Sequence, residues 1–252
     1  CKTNCIGGNC TFNNTLGECL CHCPEFFLGE SCSFGKNDIP ADVDTEAIPT
    51  RKAHFTLKIN VTFQADFNDL NSSESSKFIE KFKHELEGLC KEADPQSFKR
   101  VQVINLSRGS VVAENQAEYI YSNNETQIQF VNAKLDGVLT DILTDPRNLI
   151  NISRAFNNVT VQFNELTFGT PEIKNIQDME RFVDCSKFAN YTAKIINGQW
   201  QCVGPCKTNP DYCHQHGECH NDIEKGPICA MSNIMAHSVN SLITVQAQLN
   251  AP

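Results

Sequence analysis

Between residues 53 and 168 the apolar positions change period several times, and each change marks an element. Phe55, Leu57, Ile59, Val61 and Phe63 alternate with Thr56, Lys58, Asn60 and Thr62, the two-residue period of a strand with one apolar face. Asn60 falls on its polar face. Asn71 to Glu74 has the form of a capping box, and Phe78, Phe82, Leu86 and Leu89 follow at spacings of four, four and three, which predicts an amphipathic helix of about five turns. Val101 to Leu106 and Val111 to Tyr121 read as a second and a third strand, with Arg108-Gly109-Ser110 as the punctuation between them. Val131, Leu135, Val138 and Ile142 mark a second helix that stops near Pro146. Val159, Val161 and Phe163 alternate, then Leu166 and Phe168 continue one residue out of phase, so a bulge is predicted near Asn164-Glu165. Strand, helix, strand, strand, helix, strand is a split βαβ order, and it predicts an α+β fold in which a four-stranded antiparallel sheet packs on two helices.

The flanks follow another rule. Of 14 cysteines, seven lie in residues 1–32, one is Cys90, and six lie between Cys185 and Cys229. Two small crosslinked modules around a conventionally packed domain would produce that distribution. Residues 33–52 lack periodicity and carry Gly35, Pro40 and Pro49, which reads as a linker. Asn-x-Ser/Thr occurs at Asn9, Asn13, Asn60, Asn71, Asn105, Asn124, Asn151, Asn158 and Asn190, nine of 26 asparagines. Chance would give about three, so these residues are candidate N-glycosylation sites on a chain of the secretory pathway.

Charge removes two classes of partner. With 30 acidic against 21 basic side chains and a net charge of -9, the chain lacks the phosphate-neutralising surface that nucleic acid or an anionic membrane requires. It holds no apolar run of about 18 residues and begins at Cys1 without a signal sequence, so it is expected to be an extracellular piece of a longer product. His214, His216 and His220 crowd Cys213 and Cys219, but those cysteines are needed as crosslinks, and no metal or cofactor is expected. No Gly-x-Ser-x-Gly elbow of a hydrolase is present.

The run Cys21-x-Cys23, Phe26, Gly29, Cys32 resembles the second half of an EGF-like domain. That family's pairing implies Cys1 with Cys10, Cys5 with Cys21 and Cys23 with Cys32; Cys19 is left over and is able to exchange roles with Cys21. Cys206, Cys213, Cys219 and Cys229, with Gly217 two before Cys219, resemble the first four cysteines of a second such module. Met231 stands where the fifth belongs, so this module is truncated. The resemblance implies pairing of Cys206 with Cys219 and of Cys213 with Cys229, and Cys185 is then expected to pair with Cys202. Cys19 and Cys90 then remain: they pair with each other, or one bonds to another molecule, or Cys90 is a free buried thiol. Residues 232–252 hold no cysteine and read as an unstructured tail that makes no membrane contact.

Taken alone, Gly109-Ser110 is a hairpin turn. At the junction of the second and third strands of a split βαβ unit, however, Gly109-Ser110-Val111-Val112 resembles the self-cleaving motif of SEA domains. Flanked by EGF-like modules, it is similar to the membrane-proximal region of transmembrane mucins, in particular mucins three, twelve and seventeen. The implied organisation is an EGF-like module at 1–32, the linker at 33–52, a ferredoxin-like SEA domain at 53–168, a connecting segment with one disulfide at 169–203, a truncated EGF-like module at 204–231 and the tail. Ala113 departs from the family, which usually continues with a third valine. The resemblance implies that Ser110 is the nucleophile and Gly109 carries the scissile carbonyl, in an N-to-O acyl shift followed by hydrolysis of the ester. The chain would then be no turnover enzyme but a protective glycoprotein that cuts itself once, and its partner would be its own cleaved fragment, held non-covalently. It would lie at the apical cell surface as part of a transmembrane mucin, or be secreted if this carboxyl terminus is genuine. The rival class is a secreted ligand whose EGF-like module engages an EGF-family receptor, with the middle domain as spacer.

Overall fold

The computed structural model describes residues 5–214 and 216–231, which form two compact units, one from both ends of the chain (through Val43 and from Val183) and one from Asp44–Phe182. In chain order the first segment contributes β1 (Asn9–Asn13), β2 (Glu18–His22), β3 (Phe27–Leu28), β4 (Phe34–Gly35), β5 (Asp38–Pro40) and β6 (Asp42–Val43). The central unit contains β7 (Arg51–Ile59), α1 (Ser73–Ala93), β8 (Phe98–Arg108), β9 (Val111–Tyr119), α2 (Glu125–Ala133), α3 (Leu135–Thr144), α4 (Ile150–Ala155) and β10 (Val161–Phe168). The last segment adds β11 (Val183–Asp184), β12 (Thr192–Ile196), β13 (Gln199–Val203), α5 (Pro205–Thr208), β14 (Glu218–Asp222) and β15 (Gly226–Ala230).

The central unit is the α+β arrangement the periodicity predicts. Its sheet is antiparallel throughout, in the order β10-β7-β9-β8. Ala53, Phe55, Leu57 and Ile59 of β7 are buried, and Phe78, Phe82, Leu86 and Leu89 bring α1 into the same core. The bulge in β10 falls between Phe163 and Glu165, where the apolar phase breaks. Three details differ from the pattern. β7 ends at Ile59, so Phe63 leaves the sheet and packs edge-on against Phe67, 5.7 Å between centroids. Ser72, not Asn71, caps α1, its hydroxyl accepting the Ser75 N–H. The second predicted helix is two, α2 and α3, broken at Lys134, with the short α4 after Pro146.

Glu118 of β9 is only 3% exposed. Burial alone would raise its carboxyl, but Arg100 of β8 donates to it from Nε and Nη2, both at 3.0 Å. Those bonds and that charge outweigh burial and hold the carboxyl below its usual range.

The linker expected at 33–52 is a correction. Residues 34–43 are three short strands paired to the far end of the chain: β4 to β14, β5 to β13 and β6 to β11. Strands of two or three residues carry no readable alternation, and their partners lie more than 130 positions away. The disulfides Cys5–Cys21, Cys23–Cys32, Cys185–Cys202, Cys206–Cys219 and Cys213–Cys229 form as expected. The Cys1–Cys10 pair does not: Cys10 is a free thiol, and Cys19 is disulfide-bonded rather than left over. Cys90 is free and buried in α1, so it is not bonded to Cys19, and burial pushes its thiol up to about 12. Disulfides are the crosslinks of an oxidising compartment. No helix of the described residues is long and apolar enough to cross a membrane. The tail at 232–252 lies outside the described residues.

Candidate functional site

Arg108 of β8 faces Val111 of β9, so Gly109 and Ser110 are the entire loop of a two-residue hairpin. Such loops match the twist of their strands when they form one of the two mirror-image turns. With glycine first, the ordinary turn has positive φ at the first residue and negative φ at the second. Here both are positive, +123° at Gly109 and +60° at Ser110, the sign pattern of the other mirror-image turn, which asks a left-handed φ of the second residue as well. An L side chain in the left-handed region costs on the order of 1–3 kcal/mol. Asparagine tolerates that region best, and among the described residues four of the seven non-glycine residues with positive φ are asparagines; Ser110 is not. At Gly109 the constraint is conformation rather than space, because an added Cβ would meet its nearest neighbour, Val112 Cγ2, at an ordinary 3.6 Å.

The Ser110 hydroxyl is held. It donates to Asn60 Oδ1 at 3.1 Å, and Asn60 is itself fixed just past the end of β7, its backbone N–H donating to Thr160 O at 2.9 Å. Arg108 stacks over the Phe63 ring at 5.8 Å, on the β8 side of the turn. Gly109 and Asn60 are exposed and Ser110 is half-buried, so water reaches the loop. Sequence periodicity brought Gly109 and Ser110 to this turn but missed Asn60 as part of it, since fifty residues separate it from Ser110. Asn60 was legible only as a sequon.

The other sequon asparagines are dispersed. None of the nine is buried: Asn13 and Asn124 are half-buried and Asn9, Asn60, Asn71, Asn105, Asn151, Asn158 and Asn190 are exposed. Asn124 doubles as the cap of α2, its Oδ1 accepting the Thr126 and Gln127 N–H groups. Among the described residues no group of three or more His, Cys, Asp or Glu side chains is placed to hold a metal ion. A shallow cleft of about 800 Å³, lined by His84, Glu87, Lys91, Phe98 and Asn148 among others, includes neither Gly109 nor Ser110. No family model matches the chain, and no curated protein matches it.

Proposed function

We propose that the central unit is a self-cleaving SEA-type domain in the extracellular part of a membrane mucin, and that the chain is cut once, between Gly109 and Ser110. The observation that carries this reading is the strained two-residue turn with its serine hydroxyl pinned. Ser110 Oγ adds to the Gly109 carbonyl carbon, and the Gly109–Ser110 C–N bond breaks. The hydroxyl proton ends on the departing Ser110 nitrogen. The product is an ester between the Gly109 carbonyl and Ser110 Oγ, which one water molecule splits into a Gly109 carboxylate and a Ser110 amino terminus with its hydroxyl restored. By accepting the hydroxyl proton in a hydrogen bond, Asn60 fixes the rotor and leaves the oxygen lone pairs free for attack. Proximity of this kind supplies a large share of an intramolecular reaction's advantage.

After the cut, the strand order β10-β7-β9-β8 alternates between fragments: β7 and β8 belong to the first, β9 and β10 to the second. All three pairings of the sheet therefore join the fragments. Each of the five disulfides described above lies wholly on one side of the cut. A junction held by pairing and packing separates under load without breaking a covalent bond, which suits a protective surface glycoprotein.

The reading is tested by refolding the purified chain with protease inhibitors and measuring masses: fragments 1–109 and 110–252 support it, and a persistently single chain removes it. In the time course of that reaction Asn60→Ala is expected to be slower by about tenfold or more. Thr62→Ala, which abolishes the same sequon but keeps the side chain, is expected to match the unsubstituted rate. Equal rates for all three would make the Asn60 hydrogen bond irrelevant.

Acid is expected to loosen the fragments. The Glu118 carboxyl is depressed in the folded state, so its contribution is complete above its unfolded value of about 4.3 and is lost as pH falls through the lower folded value. Arg100 lies on the first fragment and Glu118 on the second. Fragment dissociation measured from pH 7 downwards should accelerate below about pH 4.3, and Glu118→Gln should flatten that limb; an unchanged limb would assign the acid effect to other carboxylates.

A further inference from the structure

The two ends of the chain do not form two independent modules. Phe34 pairs with Asp222, Gly35 with Asn221, Asp38 with Val203, Ile39 with Cys202, Pro40 with Gln201, Asp42 with Asp184 and Val43 with Val183. These pairs are nested, each enclosing the next, and the innermost encloses the whole of residues 44–182. A shared core accompanies them: Ile39, 4% exposed, packs with Tyr191 and Cys202, and Phe26 and Ala41 lie against the same cluster as Cys185 and Phe188.

Polar groups are matched across the same seam. Asn221, 3% exposed, donates from Nδ2 to Asn37 Oδ1 at 2.9 Å, while its Oδ1 accepts the Cys206 N–H. Tyr191 Oη donates to Lys36 O at 3.0 Å, Gly204 N–H to Asn37 O at 2.8 Å and Ile223 N–H to Ser33 O at 2.9 Å. Lys207 pairs with Asp38 at 2.6 Å, and Lys187 with Asp42. The approach is close enough that a Cβ on Gly35 would collide with Tyr191 Oη.

We infer that residues 33–43 and 183–223 form a second clasp between the two halves of the chain, one that holds them together whether or not the central sheet is intact and that bears tension first. The partner of each surface is the other end of this same chain. Because the pairs are nested around residues 44–182, pulling the chain from its two ends loads this clasp before anything inside it. The disulfides Cys185–Cys202, Cys206–Cys219 and Cys213–Cys229 lie wholly on its carboxyl-terminal side and do not bridge it, so tension reaches the central unit only after the clasp has opened. A cut anywhere in residues 44–182 leaves this clasp uncut, so the inference does not depend on self-cleavage at Gly109-Ser110.

The experiment is to stretch the full Ser110→Ala chain, tethered at both termini, in a single-molecule instrument; this chain is uncut under either account of Gly109-Ser110. Two events are expected in a fixed order, clasp opening first and central-unit unfolding second. Gly35→Val should remove or weaken the first event and leave the second, since the added side chain collides with Tyr191 and Ile223. Ile39→Asp, which places a charge in the shared core, should do the same. Central-unit unfolding as the first event in the Ser110→Ala chain would overturn the clasp, as would an unaltered first event in both clasp variants. A complementary measurement uses chain cut in the Gly109-Ser110 loop, by itself or at a protease sequence placed there. Release of the first fragment from the immobilised second fragment should be at least about tenfold faster with Gly35→Val, in line with losing a packed, hydrogen-bonded contact surface, and unchanged release in both variants would equally overturn it.

Discussion

Ser110→Ala is expected to run as one chain in denaturing electrophoresis where the unsubstituted protein gives two fragments. On the proposed mechanism the substitution removes the attacking atom, so the loss should be complete rather than partial. Its structural cost should be small. The hydroxyl makes one hydrogen bond, to an exposed Asn60, and surface substitutions of this kind shift stability by no more than about 0.5 kcal/mol. Alanine also keeps an L side chain at the same positive φ, so the strain stays while the nucleophile goes. That separation decides between two explanations of the rate. Strain of roughly 1–3 kcal/mol, even if wholly released in the transition state, is worth only about one to two powers of ten at 1.36 kcal/mol each. On the proposed mechanism the remainder comes from proximity, the hydroxyl and the carbonyl it attacks being held in one short turn. Ser110→Cys should therefore still cut, because a thiol makes the same shift, whereas Ser110→Gly relieves the backbone and should not. Cleavage of the alanine chain at the unsubstituted rate would return Gly109-Ser110 to an ordinary turn.

How far these features were legible depended on the range of the interaction that makes them. The alternation through Leu57 and Ile59, the four-residue spacing of Phe78, Phe82 and Leu86, and the phase break at Asn164 are local, and each became the element it predicts. The resemblance to EGF-like modules also implied five of the disulfides that form, crosslinks that in small modules replace the core. Cys10 and Cys19 misled it: they stand on facing strands of one hairpin, where Cys10 opposes Cys21 and Cys19 opposes Phe12, so nothing in their separation says which is bonded. Phe63 failed for a related reason, since alternation continued past the point where the sheet has a partner to offer. The strands at 34–43 were invisible because everything that stabilises them is supplied by residues 183–223. Asn60 lay in the same blind spot, its relation to Ser110 created only by the fold.

Leu57→Ala is expected to have the largest effect on the association of the cut chain. Leu57 is fully buried, in a strand flanked by β10 and β9, with Phe163 and Ala113 as its cross-strand partners. Both partners belong to the fragment that begins at Ser110, while Leu57 belongs to the other, so the cavity left by alanine opens in the surface that joins them. Truncating a buried leucine costs about 2–5 kcal/mol. In the uncut Ser110→Ala chain that cost appears as a lower unfolding midpoint. In the cut chain it appears as weaker association, and at about 1.4 kcal/mol per tenfold it amounts to roughly 30-fold to several thousandfold. Ile104→Ala is the matched control: Ile104 sits on β8 in the same fragment but is 45% exposed, so its truncation should change little. Dissociation is read as release of fragment 1–109 from immobilised fragment 110–252, in a background where the pairing of residues 34–43 is intact. If Leu57→Ala lowers the midpoint of the uncut chain yet leaves fragment release unchanged, the interleaved sheet is not what holds the halves, and the pairing of the chain ends carries the association alone.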